Sequence, residues 1–410
     1  MAAVTAVFVA LVVAGAVVET WLAGRQIGAV RAHRAHVPAP FAGEISPAAH
    51  QKAADYTIAR MRLGRIATLL DALATLGLTV GGGIAGLEAL WRTSGWPEPW
   101  RGLAVIASVA TVLLLINLPL SLWRTFRLEA RFGFNRTSAR VFLTDLLLQI
   151  ALTAVIGGAL ALGALWLMLR AGALWWLWLF GGGAALMLAL GWAAPVLIAP
   201  LFNRFTPLAD PALRARIEAL LARCGFQSSG VFVVDGSRRS AHGNAYFTGF
   251  GRHKRIVFFD TLLAELSAPQ LEAVLAHELG HFRLHHVRTM MAASLVVLFA
   301  GCALLGWLAH ERLFYTALGV AHPSPQAALL LFMLAASVVL QFGMPIGAAW
   351  SRRHEFEADA FAARHAERTD LAAALVRLYR SNASTLTPDW LYSAVHDSHP
   401  PALARIARLR

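Results

Sequence analysis

The sequence predicts a mostly α-helical, polytopic membrane protein with about seven spanning helices and a small α+β domain. Of its 410 residues, 58% are hydrophobic and only 14% are charged, and the mean hydropathy is +0.58. This composition is too apolar for an ordinary soluble domain. Two polar segments, roughly residues 203–288 and 351–410, interrupt the apolar windows and supply the α+β part.

Seven windows are long and apolar enough to cross about 30 Å of hydrocarbon as helices. No Lys or Arg precedes the first window, so a retained span is favoured over a cleaved signal peptide. The predicted spans are 2–22, 67–91, 102–123, 141–169, 174–202, 289–310 and 326–350. The chain is therefore divided into five helices with basic loops (1–202), the first part of a polar domain (203–288), two helices (289–350) and the second part of that domain (351–410).

The formal net charge of +13 first suggests nucleic-acid binding, but the placement of the charges argues against it. Basic residues crowd the connections after the first and third spans, whereas the connections after the second, fourth and sixth carry few. By the positive-inside rule this asymmetry places the C-terminus and both polar segments in the cytoplasm. The expected partner is therefore the lipid bilayer, and no nucleic acid is predicted. The basic loop residues are Arg25, Arg31, Arg34, Lys52, Arg60, Arg62 and Arg65, then Arg124, Arg127, Arg131, Arg136 and Arg140.

The first polar segment has the pattern of an α+β domain. Residues 211–225 show helical periodicity and end in Gly225, whereas GVFVVD and KRIVFFD are rich in strand formers. Residues 244–250 (NAYFTGF) can form a third strand with an open edge. A helix is expected to begin at Ser267, where SAPQ supplies a capping box. Since only two cysteines occur, no disulfide framework or cysteine-type zinc site is available.

A metal-binding motif lies on this last helix. His277 and His281 are four residues apart, so their imidazoles project from one face and can hold one metal ion. Glu278 follows the first histidine and is placed to reach a water molecule without being a ligand. This H-E-x-x-H pattern is typical of two zinc ligands and a general base. A catalytic zinc also requires a third protein ligand.

The segment SRRHEFEADAFA, directly after the last span, offers that ligand. Glu355 and Asp359 are again four residues apart, so one carboxylate could bind metal while the other hydrogen-bonds a ligating histidine. Spacing alone equally allows an amphipathic helix whose charged face, including Glu357, meets water.

Other histidines allow two interpretations. His396 or His399 could hydrogen-bond the oxyanion of a tetrahedral intermediate, or be a structural histidine. His285 and His286, beside a membrane boundary, are interpreted as polar surface residues rather than ligands.

Together these residues resemble the CAAX prenyl protease type 1 family of integral membrane zinc metalloproteases. The similar segments run from about Phe126: ARFGFNRTSAR, IAPLFNRFTPL, DGSRRSAHGNAYFTGFGRHKRIVFFDTLL, HELGH, SRRHEFEADAFA and SHPP, in the family's order. The resemblance implies a zincin-like catalytic domain and seven helices that enclose a water-filled chamber. It implies one Zn²⁺, with Glu355 as third ligand, Asp359 as partner of a zinc histidine and His399 as oxyanion stabiliser.

The resemblance also implies how substrate binds and what it is. The backbone at Asn244 and Ala245 is expected to pair with an extended peptide as an added strand. The family substrate is a C-terminal CAAX peptide with an isoprenyl group on its cysteine, from which the last three residues are removed. The expected location is the inner membrane of a bacterium, which the Ala-, Arg- and Leu-rich composition suggests, or the endoplasmic reticulum of a eukaryote.

The sequence leaves two alternatives open. One is a quality-control protease for membrane proteins, similar to heat-shock-induced membrane proteases that share the zinc motif. The other is a non-proteolytic chamber with a structural zinc. Glu278 argues against the second, because a structural zinc site needs no general base.

Overall fold

The computed structural model describes residues 1–248 and 253–410. Its first part consists of long helices. Ala2–Ala32 forms α1, Pro47–Leu78 and Gly83–Arg92 form α2 and α3, and Trp100–Glu129, Ala139–Arg170 and Gly172–Phe202 form α4, α5 and α6. Only 0% to 17% of the most apolar window of α1, α4, α5 and α6 is buried. This low burial agrees with helices that enclose a chamber rather than pack as a solid bundle.

The second predicted span is broken. The helices α2 and α3 together are long and apolar enough to cross the membrane, but they are bent by 50°. Thr79, Val80, Gly81 and Gly82 separate them, and Gly82 adopts a φ of +79°, which favours glycine. A Cβ at Gly81 would lie 2.8 Å from the carbonyl oxygen of Gly77. The continuous helix predicted over 67–91 is therefore wrong in its middle, because this sharp turn requires glycine.

The polar segment after α6 forms a four-stranded sheet flanked by helices. The strands are β1 (Phe205–Pro207), β2 (Gln227–Val234), β3 (Ala245–Thr248) and β4 (His253–Phe259), and their order in the sheet is β1-β2-β4-β3. The pair β2 and β4 is parallel, and the other two pairs are antiparallel. This order leaves β3 at an edge, as predicted; the predicted extension of that strand through 249–250 lies outside the described residues. The helices of this segment are α7 (Pro211–Arg223), α8 (Asp260–Glu265) and α9 (Ala268–Arg283).

The chain then returns to long helices and ends in three short ones. These are α10 (His286–Leu308), α11 (Arg312–Ala317), α12 (Pro325–His365), α13 (Arg368–Ser381), α14 (Trp390–His396) and α15 (Ala402–Leu409). Six helices of the described chain can span a membrane by length and composition, or seven when α2 and α3 count as one span. The prediction of about seven spans is therefore confirmed. Helix α12 continues beyond its apolar part into the polar domain, so it connects the two.

One hydrophobic core joins the two polar segments. Leu220 of α7, Phe258 of β4, Leu275 of α9, Ala374 of α13 and Ile406 of α15 are all buried in it. Two bidentate ion pairs attach this domain to the membrane helices. Arg239 binds Asp145 of α5 with nitrogen–oxygen distances of 2.7 and 2.8 Å, and Arg25 of α1 binds Asp389 at 3.1 and 2.9 Å. This planar, two-bond geometry holds the two parts in a defined orientation.

Helices α9 and α12 approach each other closely at Gly280. A Cβ there would lie 3.1 Å from the Cα of Ala358 and 3.2 Å from the Cβ of Phe361. Gly280→Val should therefore lower the stability of the protein by about 1–3 kcal/mol, the usual cost of overpacking. The thermal unfolding midpoint of protein in detergent measures this. The matched control is Gly28→Val, because nothing lies within 4 Å of a Cβ at Gly28; equal midpoints for both variants would contradict the close packing.

Candidate active site

Helix α9 begins with the predicted capping box. The backbone N–H of Ser267 donates to Oε1 of Gln270 at 3.1 Å. In return, the Ser267 side chain accepts a hydrogen bond from the backbone N–H of Gln270. These bonds satisfy backbone donors that are otherwise free at a helix start. The apolar residues of α9 face the core and so fix the rotation of the helix. His277 is consequently buried, whereas Glu278 is half-buried and faces a cleft.

Glu355 of α12 meets the two histidines of α9. Nε2 of His277 lies 3.5 Å from Glu355 Oε2, and Nε2 of His281 lies 3.3 Å from Oε1. One ligand atom from each of the three residues lies within 4.8 Å of the others. Two imidazole nitrogens and one carboxylate oxygen form the donor set of many catalytic zinc sites. Spacing alone left a metal ligand and a solvated charged helix face equally open for Glu355; the geometry favours a ligand, since the carboxylate of Glu355 faces the two histidines.

The carboxylate of Glu355 fits a cation. Its side chain is only 7% exposed, and its buried Oε2 lies 3.4 Å from Nη1 of Arg405 and 3.5 Å from Nε2 of His277. A buried carboxylate is costly unless positive charge lies beside it. Burial lowers the pKa of His277, but hydrogen bonds to Asp359 and Glu355 raise it by more. The cluster therefore favours positive charge at the point where the three ligand atoms converge.

Asp359 and Arg405 orient His277. Nδ1 of His277 donates to Asp359 Oδ1 at 2.9 Å, which leaves Nε2 directed toward Glu355. Arg405 of α15 binds both oxygens of Asp359 at 2.7 Å. Burial lowers the pKa of Arg405, but its bonds to Asp359 raise it by more, so the guanidinium stays charged. Sequence reasoning missed Arg405, although it follows His399 in the same short segment.

His281 also has a hydrogen-bond partner, and sequence reasoning did not predict it. Nδ1 of His281 lies 3.1 Å from Nδ1 of His286, and Nε2 of His286 lies 3.0 Å from Glu357 Oε2. His286 is 3% exposed, so its interpretation as a surface residue is wrong, whereas His285 is exposed as predicted. The turn explains the difference: His285 adopts a φ of +63°, which directs His286 back toward α9.

The remaining predicted residues surround a cavity of about 570 Å³ beside this cluster. It is lined by Glu278, His399, Asn244 and Ala245, together with His277. Nε2 of His399 lies 3.5 Å from Glu355 Oε1. His396 also lines the cavity, with its Nε2 3.2 Å from Glu19 Oε2 of α1. Five predicted site residues therefore line one cavity. His281 and Glu355 do not line it but meet the cavity residue His277 in the three-residue cluster, and Asp359 contacts Nδ1 of His277.

The edge of β3 faces this cavity. The carbonyl of Asn244 accepts from the Phe259 N–H at 3.0 Å, so Asn244 faces β4 and the next residue, Ala245, turns its N–H and carbonyl to the open side. The Ala245 N–H donates to Asn244 Oδ1 at 2.8 Å. An extended peptide could replace this local bond and add a strand to the sheet.

Comparisons with known proteins agree with this architecture. Residues 26–204 match the family described as CAAX prenyl protease N-terminal, five membrane helices, and residues 207–410 match peptidase family M48. The CAAX prenyl protease 1 homolog of Arabidopsis thaliana is 32% identical, with 95% of this chain and 93% of that protein covered. The CAAX prenyl protease 1 of Saccharomyces cerevisiae is 35% identical, with 75% and 72% covered.

A solved structure shows the same fold. The crystal structure of S. mikatae Ste24p superimposes with a TM-score of 0.90 at 28% identity, and covers 99% of both chains. The matched families, the spanning helices and this likeness lead to one conclusion: the chain is a multi-pass membrane metalloprotease that belongs to peptidase family M48, among the CAAX prenyl protease 1 homologues.

Proposed function

We propose that this protein is a zinc endopeptidase that removes the last three residues of prenylated CAAX peptides. The observation that supports it best is the meeting of His277, His281 and Glu355 within 4.8 Å, at the wall of a cavity that also holds Glu278 and an open strand edge. These three residues would hold one Zn²⁺ per chain. When bound, zinc supplies a Lewis acid that polarises the scissile carbonyl and makes a water molecule nucleophilic near neutral pH.

The side chains of the cavity perform the other steps. Glu278 accepts a proton from the attacking water and donates it to the leaving amine. His399 donates a hydrogen bond to the oxyanion that develops on the carbonyl, an interaction worth about 2.7–4 kcal/mol at comparable sites. Asp359, held by Arg405, keeps the Nδ1 proton of His277 and so the orientation of its ring. The edge at Asn244 and Ala245 aligns the peptide as an added strand.

The catalytic domain is proposed to face the cytoplasm. The basic residues at the adjoining ends of α1 and α2 and of α4 and α5, together with those in the two connections, support this orientation by the positive-inside rule. The membrane is the inner membrane in a bacterium and the endoplasmic reticulum in a eukaryote. CAAX motifs are C-terminal and their prenylated cysteine favours a membrane surface, so a cytoplasmic site at the membrane boundary suits such a substrate.

A kinetic comparison of two peptides tests the substrate class. We expect the purified protein to cleave a farnesylated CAAX peptide with a far higher kcat/KM than its unprenylated twin. An unfolded membrane segment of the same length serves as the third substrate. Equal cleavage of all three would contradict the proposed substrate and favour membrane-protein quality control, the alternative that the shared zinc motif suggests.

His286 is predicted to support His281. Because it contacts Nδ1 of His281 at 3.1 Å and is backed by Glu357 at 3.0 Å, His286→Ala should weaken zinc affinity about 10–100-fold, as loss of a ligand's partner usually does. Competition with a chromogenic chelator measures the affinity. His285→Asn is the matched control, since His285 is exposed and asparagine tolerates its left-handed backbone. If the two variants bound zinc equally well, the supporting role would be refuted.

A further inference from the structure

Arg60 of α2 lines the cavity that His277 and Glu278 of α9 also line. Its side chain is exposed, and its guanidinium carbon lies 5.4 Å from the centre of the Tyr56 ring. Within residues 1–248 and 253–410, no carboxylate oxygen lies within ion-pair distance of Arg60. The carboxylate of Glu129 interacts electrostatically with Arg60 but forms no ion pair with it. Its Oε1 instead accepts a hydrogen bond from the Tyr56 hydroxyl at 2.8 Å.

The second arginine of the cavity wall is already neutralised. Arg405 binds both oxygens of Asp359 at 2.7 Å, and within the described chain no other Lys or Arg lines this cavity. Among the described residues, Arg60 is thus the arginine of this cavity that has no carboxylate partner. An arginine without a carboxylate partner in a substrate cavity is suited to bind an anionic group, because its planar fork matches a carboxylate with two hydrogen bonds.

We infer that Arg60 binds the α-carboxylate at the C-terminus of the substrate. This inference rests on the proposed function and names the feature that makes the site select chain ends. Cleavage three residues from the terminus keeps the carboxylate within about 10 Å of the scissile bond, the reach of three extended residues. A carboxylate that leaves water for the cavity requires a partner. Thr57, one turn before Arg60 on α2, lines the same wall and offers a hydroxyl donor.

The test compares a farnesylated CAAX peptide that ends in a free carboxylate with the same peptide as a carboxamide. The wild-type protein should cleave the carboxylate form with a kcat/KM at least about 10-fold higher, mainly through a lower KM, since a charged hydrogen-bonded pair contributes more than a neutral one. Arg60→Gln should lose this advantage on the carboxylate form and cleave the carboxamide as the wild type does. Arg60→Lys should keep part of the preference.

Arg62→Gln is the matched control, because Arg62 is an exposed arginine on the same helix that does not line the cavity. It removes the same charge and should keep the wild-type ratio. Placing an internal aspartate in the last three residues of the carboxamide peptide distinguishes a side-chain carboxylate from the terminal one. If the aspartate restored fast cleavage of the carboxamide peptide, the assignment of Arg60 to the terminal α-carboxylate would be overturned.

The remaining outcomes separate the two proposals. Equal cleavage of both forms by the wild type, or a preference that survives in Arg60→Gln, would overturn the role of Arg60 and leave the endopeptidase intact. If the wild type cleaved neither farnesylated form, the proposed substrate class would fail and the inference with it.

Discussion

Glu278→Gln is expected to reduce kcat by about 10²–10⁴-fold, the usual contribution of a general acid–base residue, while zinc stays bound. The substitution keeps the size of the side chain but removes the group that accepts a proton from the attacking water. Glu278 lines the cavity outside the three-residue cluster of possible ligands, so metal binding should be unaffected. Steady-state kinetics with a farnesylated CAAX peptide, beside metal analysis of the same preparation, measure both quantities.

The matched control for this variant is Glu218→Gln. Glu218 is exposed on α7, so it tests the loss of one carboxylate of the domain without touching the cavity. Loss of activity together with loss of zinc in Glu278→Gln would show instead that Glu278 is a ligand. Activity near that of the wild type would refute its role in proton transfer.

The second large effect is expected for Glu355→Ala. This change removes the carboxylate that α12 contributes to the cluster, so two histidine ligands would remain and both zinc binding and turnover should be lost. A ligand that binds only the folded protein stabilises it by mass action. Zinc should therefore raise the thermal unfolding midpoint of the metal-depleted wild type and leave that of Glu355→Ala unchanged.

Glu367→Ala controls for loss of an acidic residue nearby, because Glu367 is exposed and lies two residues after the end of α12. It should keep both the zinc-dependent midpoint shift and the activity. A wild-type shift in Glu355→Ala would mean that zinc binds without Glu355, and the third ligand would then have to be another residue.

The two histidines could be predicted from sequence because their relation is local. Residues four apart on a helix share a face, and no tertiary contact is needed to place His277 beside His281. Glu355 could not be placed by local spacing. Its spacing from Asp359 fitted either a metal ligand or a charged helix face in water, and only the packing of α9 against α12 at Gly280 brings Glu355 to the histidines. The family resemblance assigned Glu355 where spacing could not.

The partners behind the ligands could not be predicted. His286 reaches His281 because of the left-handed backbone at His285, and a sequence pattern does not reveal such a turn when the residue is not glycine. Arg405 reaches Asp359 from the last helix, a contact that depends on how α15 packs into the core. Similarly, hydropathy found the second span but not its bend, since a run of glycines in an apolar window lowers hydropathy very little.

The masses of the products formed from a farnesylated CAAX peptide identify the bond that the protein cleaves. We expect one cut, between the farnesylated cysteine and the next residue, which releases an intact tripeptide. A chelator should abolish this cut, and stoichiometric Zn²⁺ should restore it. Cleavage at another bond, or cleavage that survives chelation, would refute a zinc-dependent CAAX protease.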